Sequence, residues 1–303
     1  MKGLTLKDTL ATEDRSLQKL IFLLSDLGLK IATEIPRKLG TTDKVNVYGD
    51  KQAALDVWSN ELLVRKLLRS ELVRQVASEE LEQTLNSKRG EYTVVIDPLD
   101  GSSNLATNNL MGTILGIYHD EPLPTAGRNL IASMYFLYGP YLELVLGRQE
   151  GVNIFVAAGR TTKGSQKFIT NGELHCFPME ASVYGIGGLR DKWTPRVRRF
   201  IQSIEKRRLT LRYGGSLVGD FTQILTKGGF FAYPELVDAP FGKYRLNFEA
   251  NPLAFITEKA RGKASTGSGR ILDVEPTDLS QRIPTYLGNS DLVTEFDDFL
   301  HLS

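Results

Sequence analysis

Helical and strand patterns alternate along the whole chain, and this alternation limits the fold more than any other feature of the sequence. Between residues 14 and 35, leucine and isoleucine recur every three or four positions until Pro36, which predicts an amphipathic helix. Residues 92–96 form a short apolar run of the kind that fills a buried strand. Similar patterns predict further helices near 50–69, 195–206, 216–227, 250–261 and 290–301, and strands near 73–77, 113–118, 130–138, 141–146 and 152–157. This mixture indicates a layered α/β or α+β protein.

The length of the chain bounds its domain organisation. With 303 residues, of which 41% are hydrophobic, the chain can bury a large core, either as one domain or as two closely packed halves. No repeat, low-complexity tract or obvious linker interrupts the sequence. We therefore expect one unit over residues 1–303, with a soft division into an N-terminal half, residues 1–175, and a C-terminal half, residues 176–303.

The charge balance and the residue types exclude several classes of protein. The 37 lysine and arginine residues nearly balance the 36 aspartate and glutamate residues, whereas a protein that binds nucleic acid or anionic membranes is expected to be strongly basic. No apolar run reaches the roughly 18 residues of a membrane helix, and the first residues lack the apolar core of a signal peptide. The single cysteine, Cys176, rules out an internal disulfide framework. We expect a cytoplasmic protein with no nucleic-acid or membrane partner.

An acidic turn follows the apolar run at residues 92–96 without a break. It reads Asp97-Pro98-Leu99-Asp100-Gly101-Ser102-Ser103. The strand delivers the first aspartate at its end, and a tight turn can bring the second to the same side. Such oxygen ligands suit a hard cation such as Mg²⁺, and the leucine carbonyl between them is a further ligand that the turn offers. The glycine and serines then present backbone N–H groups that suit phosphate oxygens.

Further carboxylates are needed before this turn predicts a site, because a generic pair of aspartates at this spacing is more often a capped turn. Glu79-Glu80 also follows an apolar strand, and adjacent carboxylates are costly unless a cation offsets them. On an extended segment the two side chains diverge, so that one can bind metal while the other handles a water. Asp50 and Asp56 flank the start of a predicted helix, and each alone is more often a cap. Together these residues predict a two-metal centre for phosphoryl transfer, with ions about 4 Å apart.

These segments and several later ones resemble the class I fructose-1,6-bisphosphatase family, within the lithium-sensitive phosphatase superfamily that includes the inositol monophosphatases. The likeness runs from about residue 5 to the end of the chain. The acidic turn marks the superfamily, whereas Gly242-Lys243-Tyr244-Arg245-Leu246 and Glu249-Ala250-Asn251-Pro252 mark the bisphosphatase. Further matching segments are Gly49-Asp50, Leu55-Asp56-Val57, Arg128-Asn129-Leu130, Arg212-Tyr213, Gly215-Ser216, Tyr233-Pro234, Glu258-Lys259-Ala260, Thr277-Asp278 and Gln281-Arg282.

The resemblance implies a fold and an activity. The fold would be an α-β-α-β-α layered sandwich, with a metal-binding N-terminal half and a substrate-binding C-terminal half. The activity would be hydrolysis of the 1-phosphate of D-fructose 1,6-bisphosphate to fructose 6-phosphate and phosphate, as in gluconeogenesis, by attack of a metal-activated water. The cofactor would be Mg²⁺, with two or more ions per site and Mn²⁺ or Zn²⁺ as replacements. The family is usually a homotetramer built from dimers, so a homo-oligomer is expected.

The resemblance also implies a role for each matching site residue. The metal ligands would be Glu79, Asp97, the Leu99 carbonyl, Asp100 and Glu249. The attacking water would be oriented and deprotonated by Asp56 and Glu80, with Asp50 assisting at a more labile metal position. The transferred phosphoryl group would be contacted by Asp100, Gly101, Ser102 and Ser103, with Arg245 close to it. The 6-phosphate would be held by Tyr213, Tyr233 and Lys243, and by Arg212 of a neighbouring subunit.

Two segments depart from the family pattern. The family places an asparagine and, three residues later, a tyrosine facing the 6-phosphate, where this chain reads Gly185-Ile186-Gly187-Gly188-Leu189. The preferred sugar is therefore open. The family's AMP-binding turn corresponds to Ala11-Thr12-Glu13-Asp14-Arg15-Ser16, and Glu91 and His119 stand where a lysine and an arginine are usual. Because a carboxylate facing the AMP phosphate would repel it, we expect weak or absent AMP inhibition.

Other functions remain as alternatives. A sedoheptulose-1,7-bisphosphatase, or a dual bisphosphatase, is the nearest, because active-site motifs barely separate it from the fructose enzyme. An inositol monophosphatase is disfavoured because its usual Trp-Asp pair is absent; Trp58 and Trp193 are followed by Ser and Thr. The remote alternative is a regulatory protein with an inactive phosphatase fold, which would have lost metal carboxylates that this chain keeps.

Overall fold

The computed structural model describes residues 3–45, 51–160, 166–170 and 172–299. The helices in these ranges are α1 (Leu6–Thr9), α2 (Arg15–Glu34), α3 (Ala54–Leu68), α4 (Pro195–Lys206), α5 (Leu217–Lys227), α6 (Asn251–Lys259) and α7 (Ser290–Asp298). Each predicted helix is present, with ends that differ by a few residues from the sequence pattern. Asp50, a predicted catalytic residue, lies outside the described residues.

The larger of two main sheets has nine strands. They are β1 (Leu4–Thr5), β4 (Val73–Ser78), β5 (Leu85–Asn86), β6 (Tyr92–Asp100), β7 (Met111–His119), β8 (Leu130–Tyr138), β9 (Leu142–Arg148), β10 (Gly151–Arg160) and β11 (Gln166–Thr170). Their order across the sheet is β1-β11-β10-β9-β8-β7-β6-β4-β5. Neighbours run antiparallel except β4 and β6, which are parallel. The carboxyl ends of β4 and β6 therefore meet at one edge.

The smaller sheet has five strands in the order β13-β12-β14-β18-β16. These strands are β12 (Val183–Ile186), β13 (Thr210–Leu211), β14 (Gly229–Tyr233), β16 (Lys263–Ser265) and β18 (Thr285–Gly288). Strand β12 is parallel to both of its neighbours, whereas β18 is antiparallel to both of its own. Two ribbons complete the strands: β2 (Thr41–Val45) with β3 (Lys51–Ala53), and β15 (Tyr244–Arg245) with β17 (Arg282–Ile283).

Alternating side chains divide the core into layers, because successive residues of a strand point to opposite faces of its sheet. On β6, Val94 and Ile96 belong to the core shared with α2 and α3, whereas Val95 belongs to the core shared with α5 and α6. On β14, Phe231 joins that same middle core, and Phe230 joins the outer core with α4 and α7. The layers are thus α2/α3, the larger sheet, α5/α6, the smaller sheet and α4/α7, which confirms the predicted α-β-α-β-α sandwich.

Helix α2 illustrates how the sequence builds an outer layer. Asp14 caps its start by accepting hydrogen bonds from the N–H groups of Ser16 and Leu17 at 2.7 and 3.3 Å. Leu20 and Leu24 are fully buried, and each buried side chain of this size contributes roughly 1.5–3 kcal/mol. Although α2 is the longest of the described helices, no helix in the described ranges has the length and apolarity to cross a bilayer.

Candidate active site

The acidic turn lies at the carboxyl end of β6. All nine residues of β6 are buried, and the pairing with β7 becomes irregular between Asp97 and Asp100. Within this irregularity the Leu99 N–H donates to Asp97 Oδ1 at 3.1 Å, and the Thr113 hydroxyl donates to the Pro98 carbonyl at 2.8 Å. These bonds fix the orientation of Asp97. Strand β6 continues to Asp100, so it is longer than the predicted strand at 92–96 and includes both aspartates of the turn.

Three carboxylates from distant parts of the chain meet at this strand end. Oxygens of Glu79, Asp97 and Glu249 all lie within 4.8 Å of one another. Glu79 is in the turn after β4, where its N–H donates to the Ile96 carbonyl at 2.9 Å. Glu249 is in a π-helical turn that follows β15, and its Oε2 accepts the N–H of Arg245 at 2.7 Å. The parallel β4–β6 pair thus brings two of the predicted metal ligands together, and the segment before α6 supplies the third.

Burial and mutual repulsion raise the pKa values of these carboxyl groups. Burial raises the pKa of Asp97 well above its usual value, and the charges of Asp100, Glu249, Asp56 and Glu80 raise it further. Burial also raises the pKa of Glu249 to about 7, although a hydrogen bond and the charge of Arg245 oppose this shift. The guanidinium of Arg245 forms an ion pair with Glu79 at the rim of the cluster. A centre of this kind is costly unless further positive charge enters it.

The donor set fits a divalent metal. Carboxylate oxygens in a buried cluster are the ligands that hard cations such as Mg²⁺ prefer, and a bound cation offsets the repulsion among them. Asp56, in the first turn of α3, is itself buried. Glu80 lies beside Glu79 in a turn, rather than on the extended segment that the sequence predicted. Because Asp56 and Glu80 both act on the pKa of Asp97, the structure places them near the same centre.

Asp100 lies close enough for its charge to raise the pKa values of Asp97 and Glu249, and it also caps helix α5. Its Oδ2 accepts the hydroxyl of Ser216 at 2.6 Å and the N–H of Val218 at 2.9 Å, and its Oδ1 accepts the N–H of Leu217 at 3.1 Å. A carboxylate at a helix N-terminus is stabilised by the helix dipole. Its metal-ligand role therefore stays a prediction, and the capping of α5 is a role that the sequence did not indicate.

The glycine after Asp100 makes a close approach between two segments. Gly101 has a left-handed φ of +75°, and a Cβ atom on it would lie 2.6 Å from the Cβ of Ser216. Only glycine fits both the backbone conformation and the space. Ser102 and Ser103 then begin a short 3-10 turn, Ser102–Thr107. The predicted phosphate turn is thus held directly against the start of α5.

A cluster of aromatic rings and a lysine, which we call the distal pocket, lies on the C-terminal half. Tyr233 and Tyr244 pack edge to face with ring centroids 5.1 Å apart, and Lys243 Nζ lies 5.2 Å from the Tyr233 ring centroid. Burial raises the pKa of Tyr213 to about 12, and the neighbouring Tyr233 adds to the shift. A Cβ on Gly187 would overlap the Tyr233 ring and lie 3.0 Å from the Tyr213 hydroxyl. The structure therefore brings together the predicted 6-phosphate residues of this chain.

Arg212 directly precedes Tyr213, in the segment between β13 and α5. Its N–H donates to the Tyr184 carbonyl at 2.7 Å, and its side chain is exposed. No ion pair involves it among the residues that the structure describes. It lines a cavity of ≈ 250 Å³ together with Tyr213, Gly214, Ser216, Asp220 and Gln223. Asp220 was not singled out from the sequence, because nothing in its local pattern distinguishes it from an ordinary helix residue.

The layered fold and the acidic centre at its sheet edge place the chain among metal-dependent hydrolases of phosphate esters. Models of the N-terminal and C-terminal domains of fructose-1-6-bisphosphatase match residues 12–164 and 177–301. The chain therefore belongs to the fructose-1,6-bisphosphatase family.

Individual relatives agree with this assignment. The class 1 fructose-1,6-bisphosphatase of Halobacterium salinarum is 40% identical over 278 residues, which are 90% of this chain and 93% of the relative. That of Natronomonas pharaonis is 42% identical over 253 residues, 83% of this chain and 87% of the relative. Among solved structures, the holo form of Leishmania major fructose-1,6-bisphosphatase superimposes with a TM-score of 0.90 at 32% identity, covering 98% of this chain and 100% of the other.

Proposed function

We propose that the chain hydrolyses the 1-phosphate of D-fructose 1,6-bisphosphate to fructose 6-phosphate and phosphate. The observation that carries this proposal is the cluster of Glu79, Asp97 and Glu249, near which lie Tyr213 and the positive charge of Lys243. The first site suits a metal and a transferred phosphoryl group, and the second suits a distal phosphate. The relatives that match the chain over most of its length are named fructose-1,6-bisphosphatases.

The cofactor in this proposal is Mg²⁺, with two or more ions per site and Mn²⁺ or Zn²⁺ as replacements. Glu79, Asp97 and Glu249 would hold the ions, together with the Leu99 carbonyl and Asp100. Bound divalent cations supply charge stabilisation on the phosphoryl and leaving oxygens and lower the pKa of water. The burial of Asp97 and Glu249 supports this assignment, because solvent screens the charge of buried groups much less than that of exposed ones.

The chain's own residues orient the reaction. Asp56 and Glu80 would hold the attacking water and accept its proton, a contribution of about 10²–10⁴-fold for a positioned carboxylate. The backbone and hydroxyl groups of Gly101, Ser102 and Ser103 would hold the transferred phosphoryl group. Arg245 lies at the rim through its ion pair with Glu79, where its guanidinium can exchange part of that contact for a phosphoryl oxygen.

The pocket around the tyrosines would hold the 6-phosphate. Tyr213 and Tyr233 would donate their hydroxyls, and Lys243 would supply the positive charge that a dianion needs. The exposed side chain of Arg212 would reach into the site of a neighbouring subunit, which requires a homodimer or a homotetramer. We also retain a division near residue 175 into metal-binding and substrate-binding halves, which the separate matches of the two family models support.

A second substrate, sedoheptulose 1,7-bisphosphate, is favoured by one feature of the pocket. Gly188 has a left-handed φ of +81°, and a Cβ there would lie 2.9 Å from the Leu236 side chain. Gly185 is similarly tight, because its Cβ would lie 2.7 Å from the Arg212 carbonyl. The wall is therefore tightly packed backbone where the family pattern has side chains that face the 6-phosphate, so the contacts that would select fructose 1,6-bisphosphate over a longer sugar bisphosphate are missing from it. The intact carboxylate cluster argues against an inactive regulatory protein.

The structure also supports the expectation of weak AMP inhibition. The N–H groups at the start of α2 already donate to the Asp14 carboxylate. His119 lies 3.7 Å from Glu91, so the two residues that replace the family's cations contact each other. An anion binding at the start of α2 would have to displace the Asp14 carboxylate and would approach the Glu91 carboxylate. Localisation in the cytoplasm remains part of the same proposal.

The test is phosphate release from fructose 1,6-bisphosphate, sedoheptulose 1,7-bisphosphate and inositol 1-phosphate, each with Mg²⁺ and with a chelator. We expect metal-dependent turnover with preference for the fructose substrate, and little change when AMP is added. Preference for sedoheptulose 1,7-bisphosphate would support the second candidate. Absence of turnover by folded, metal-loaded protein would overturn the proposal.

A further inference from the structure

The segment Arg212–Gly215 connects β13 to α5 and carries the tyrosine of the distal pocket; we call it the strap. It follows a two-residue strand at the edge of the smaller sheet. Gly215 has a left-handed φ of +82°, so the chain reverses there before Ser216 begins the cap of α5. A short exposed segment of this kind needs specific contacts to hold a side chain in place.

Buried Asp220 provides such contacts from the side of the helix. Its carboxylate accepts the N–H of Gly214 at 2.5 Å and the N–H of Gly215 at 3.0 Å. The side chain is 2% exposed. Hydrogen bonds to an ionised acceptor are roughly twice as strong as neutral ones, so the two adjacent peptide groups are held firmly to α5.

Two asparagines hold the strap from the opposite side. The Gly214 carbonyl accepts Asn104 Nδ2 at 2.9 Å and Asn109 Nδ2 at 3.3 Å. Asn104 belongs to the 3-10 turn that begins with Ser102, and its amide also donates to the Leu110 carbonyl at 2.9 Å. The peptide of Gly214 is therefore bonded to α5 through its N–H and to the phosphate turn through its carbonyl.

These contacts close a ring. Asp100 is bonded to the first residues of α5, Asp220 lies less than one turn further along that helix, and Asn104 follows Asp100 in the phosphate turn. The ring therefore passes from the acidic turn through α5 and the strap, and returns to the acidic turn. Its consequence is a fixed spacing between the phosphate turn and Tyr213.

We propose that Asp220 is a positioning residue for bisphosphate recognition, acting with Asn104 to set the distance between the two phosphate pockets. This inference rests on the proposed function. Asp220 touches neither phosphate; it holds the strap so that Tyr213 meets the distal phosphate while the first phosphate occupies the turn at Gly101. Rigid spacing of this kind lowers the entropy cost of binding a substrate at both ends.

The test compares Asp220→Asn with the wild-type enzyme. Asparagine keeps the size of the side chain, but only its oxygen can accept a hydrogen bond. Its NH₂ group then faces the backbone N–H of Gly214 or Gly215, and that hydrogen bond is lost. We expect KM for fructose 1,6-bisphosphate to rise roughly tenfold, with kcat within about twofold, as for loss of one charge-assisted bond. Activity on fructose 1-phosphate, which lacks the distal phosphate, should stay within about twofold on the same principle. Thr226→Ala, at an exposed position of the same helix and outside the residues that line the cavity, is the matched control and should change the kinetics of neither substrate.

A second variant and a second measurement keep the outcome decisive. Asn104→Ala removes the opposite contact and should raise KM for the bisphosphate in the same direction. Hydrogen–deuterium exchange should show faster exchange of the Gly214 and Gly215 amides in Asp220→Asn. An unchanged KM, or an equal loss on both substrates, would overturn the proposal. Absence of wild-type turnover on fructose 1,6-bisphosphate would refute the proposed function instead. The role of the strap would then be tested by comparing the affinity for fructose 6-phosphate and the exchange of the Gly214 and Gly215 amides between wild type and Asp220→Asn.

Discussion

The carboxylate end of the site, with Glu79, Asp97 and Glu249, and the distal-phosphate end, with Tyr213 and Lys243, are positioned by different kinds of structure. The carboxylates of the first lie at the ends of buried strands, where Asp97 and Glu249 are fixed by backbone hydrogen bonds. The second consists of side chains from the strap, from β14 and from the loop before β15, with Tyr213 43% exposed. In the proposed function, chemistry would thus take place at the buried strand ends, and surface segments would recognise the far end of the substrate. Loops commonly carry such variable binding roles on a constant scaffold.

The largest effect should come from Asp97→Asn, which attacks the rigid end. We expect kcat to fall roughly 10³-fold or more, because in the proposed function this residue holds the cation that would stabilise charge in the transition state. The folded chain should not lose stability in chelator, because the substitution removes a buried charge whose ionisation is disfavoured. Steady-state kinetics and thermal unfolding with a chelator check both points. Loss of folding would show that Asp97 is needed for structure as well as chemistry.

Lys243→Met tests the other end. The variant keeps the length of the side chain and its packing over Tyr233, but it removes the charge that we propose faces the distal phosphate. We expect KM for fructose 1,6-bisphosphate to rise about 10–100-fold with kcat changed much less, as for loss of a charge-assisted contact. Lys227→Met, at the exposed end of α5, serves as the control. A fall in kcat without a change in KM would show that the two ends do not divide the work as proposed.

Gly187→Ala should give a smaller effect in the same direction. The new Cβ would overlap the Tyr233 ring, so the ring must shift and its hydroxyl moves away from the position proposed for the distal phosphate. We expect a rise in KM of about fivefold, in keeping with a cost of about 1 kcal/mol for overpacking a site that can relax. Gly269→Ala is the comparison, because nothing lies within 4 Å of a Cβ at that position. Equal kinetics of the two variants would contradict the inferred contact.

Glu143 lies outside both ends of the site. We expect Glu143→Met to change the stability of the protein but not its KM or kcat. Glu143 is buried in β9, and its Oε1 has no hydrogen-bond partner among the described residues. Burial raises its pKa from 4.5 to about 6. The folded chain therefore binds this proton more tightly than the unfolded chain, and its contribution to stability falls as the pH rises from about 4.5 to about 6. Above that range the ionised group costs about 2 kcal/mol.

The measurement is denaturant unfolding of Glu143→Met and wild type at pH 7.5 and at pH 4.5. We expect the variant to gain more stability at the higher pH, by up to about 2 kcal/mol, with unchanged KM and kcat. A gain that does not depend on pH would show that packing, rather than ionisation, sets the difference.

The sequence predicted the elements and the acidic turn well, because both depend on local patterns. Periodic leucines defined α2 to within a residue at each end, and the apolar run at 92–96 located the strand that carries Asp97. The family resemblance then supplied the partners of that residue, although its detailed roles remain predictions. Local patterns could not show that Asp100 caps α5, because the helix begins far along the chain.

Contacts between distant segments account for the rest. Asp220 occupies an ordinary helical position in the sequence, and only the folded strap reveals that it holds two backbone N–H groups. The glycines at 185–188 marked a departure from the family, but the sequence could not tell that Gly187 admits the Tyr233 ring. Such close approaches depend on the packing of three elements at once, which no single periodicity encodes.

The carboxylate cluster also bears on how the protein is made. Glu79 and Asp97 leave the ribosome early, whereas Glu249 follows only after most of the chain has been synthesised. A nascent N-terminal half can form much of the larger sheet, yet it holds two of the three clustered carboxylates and lacks the third. Because non-local contacts form late in folding, catalytic competence would arrive as one of the final events in the maturation of each chain. Truncated products would then remain inert toward sugar phosphates instead of hydrolysing them prematurely.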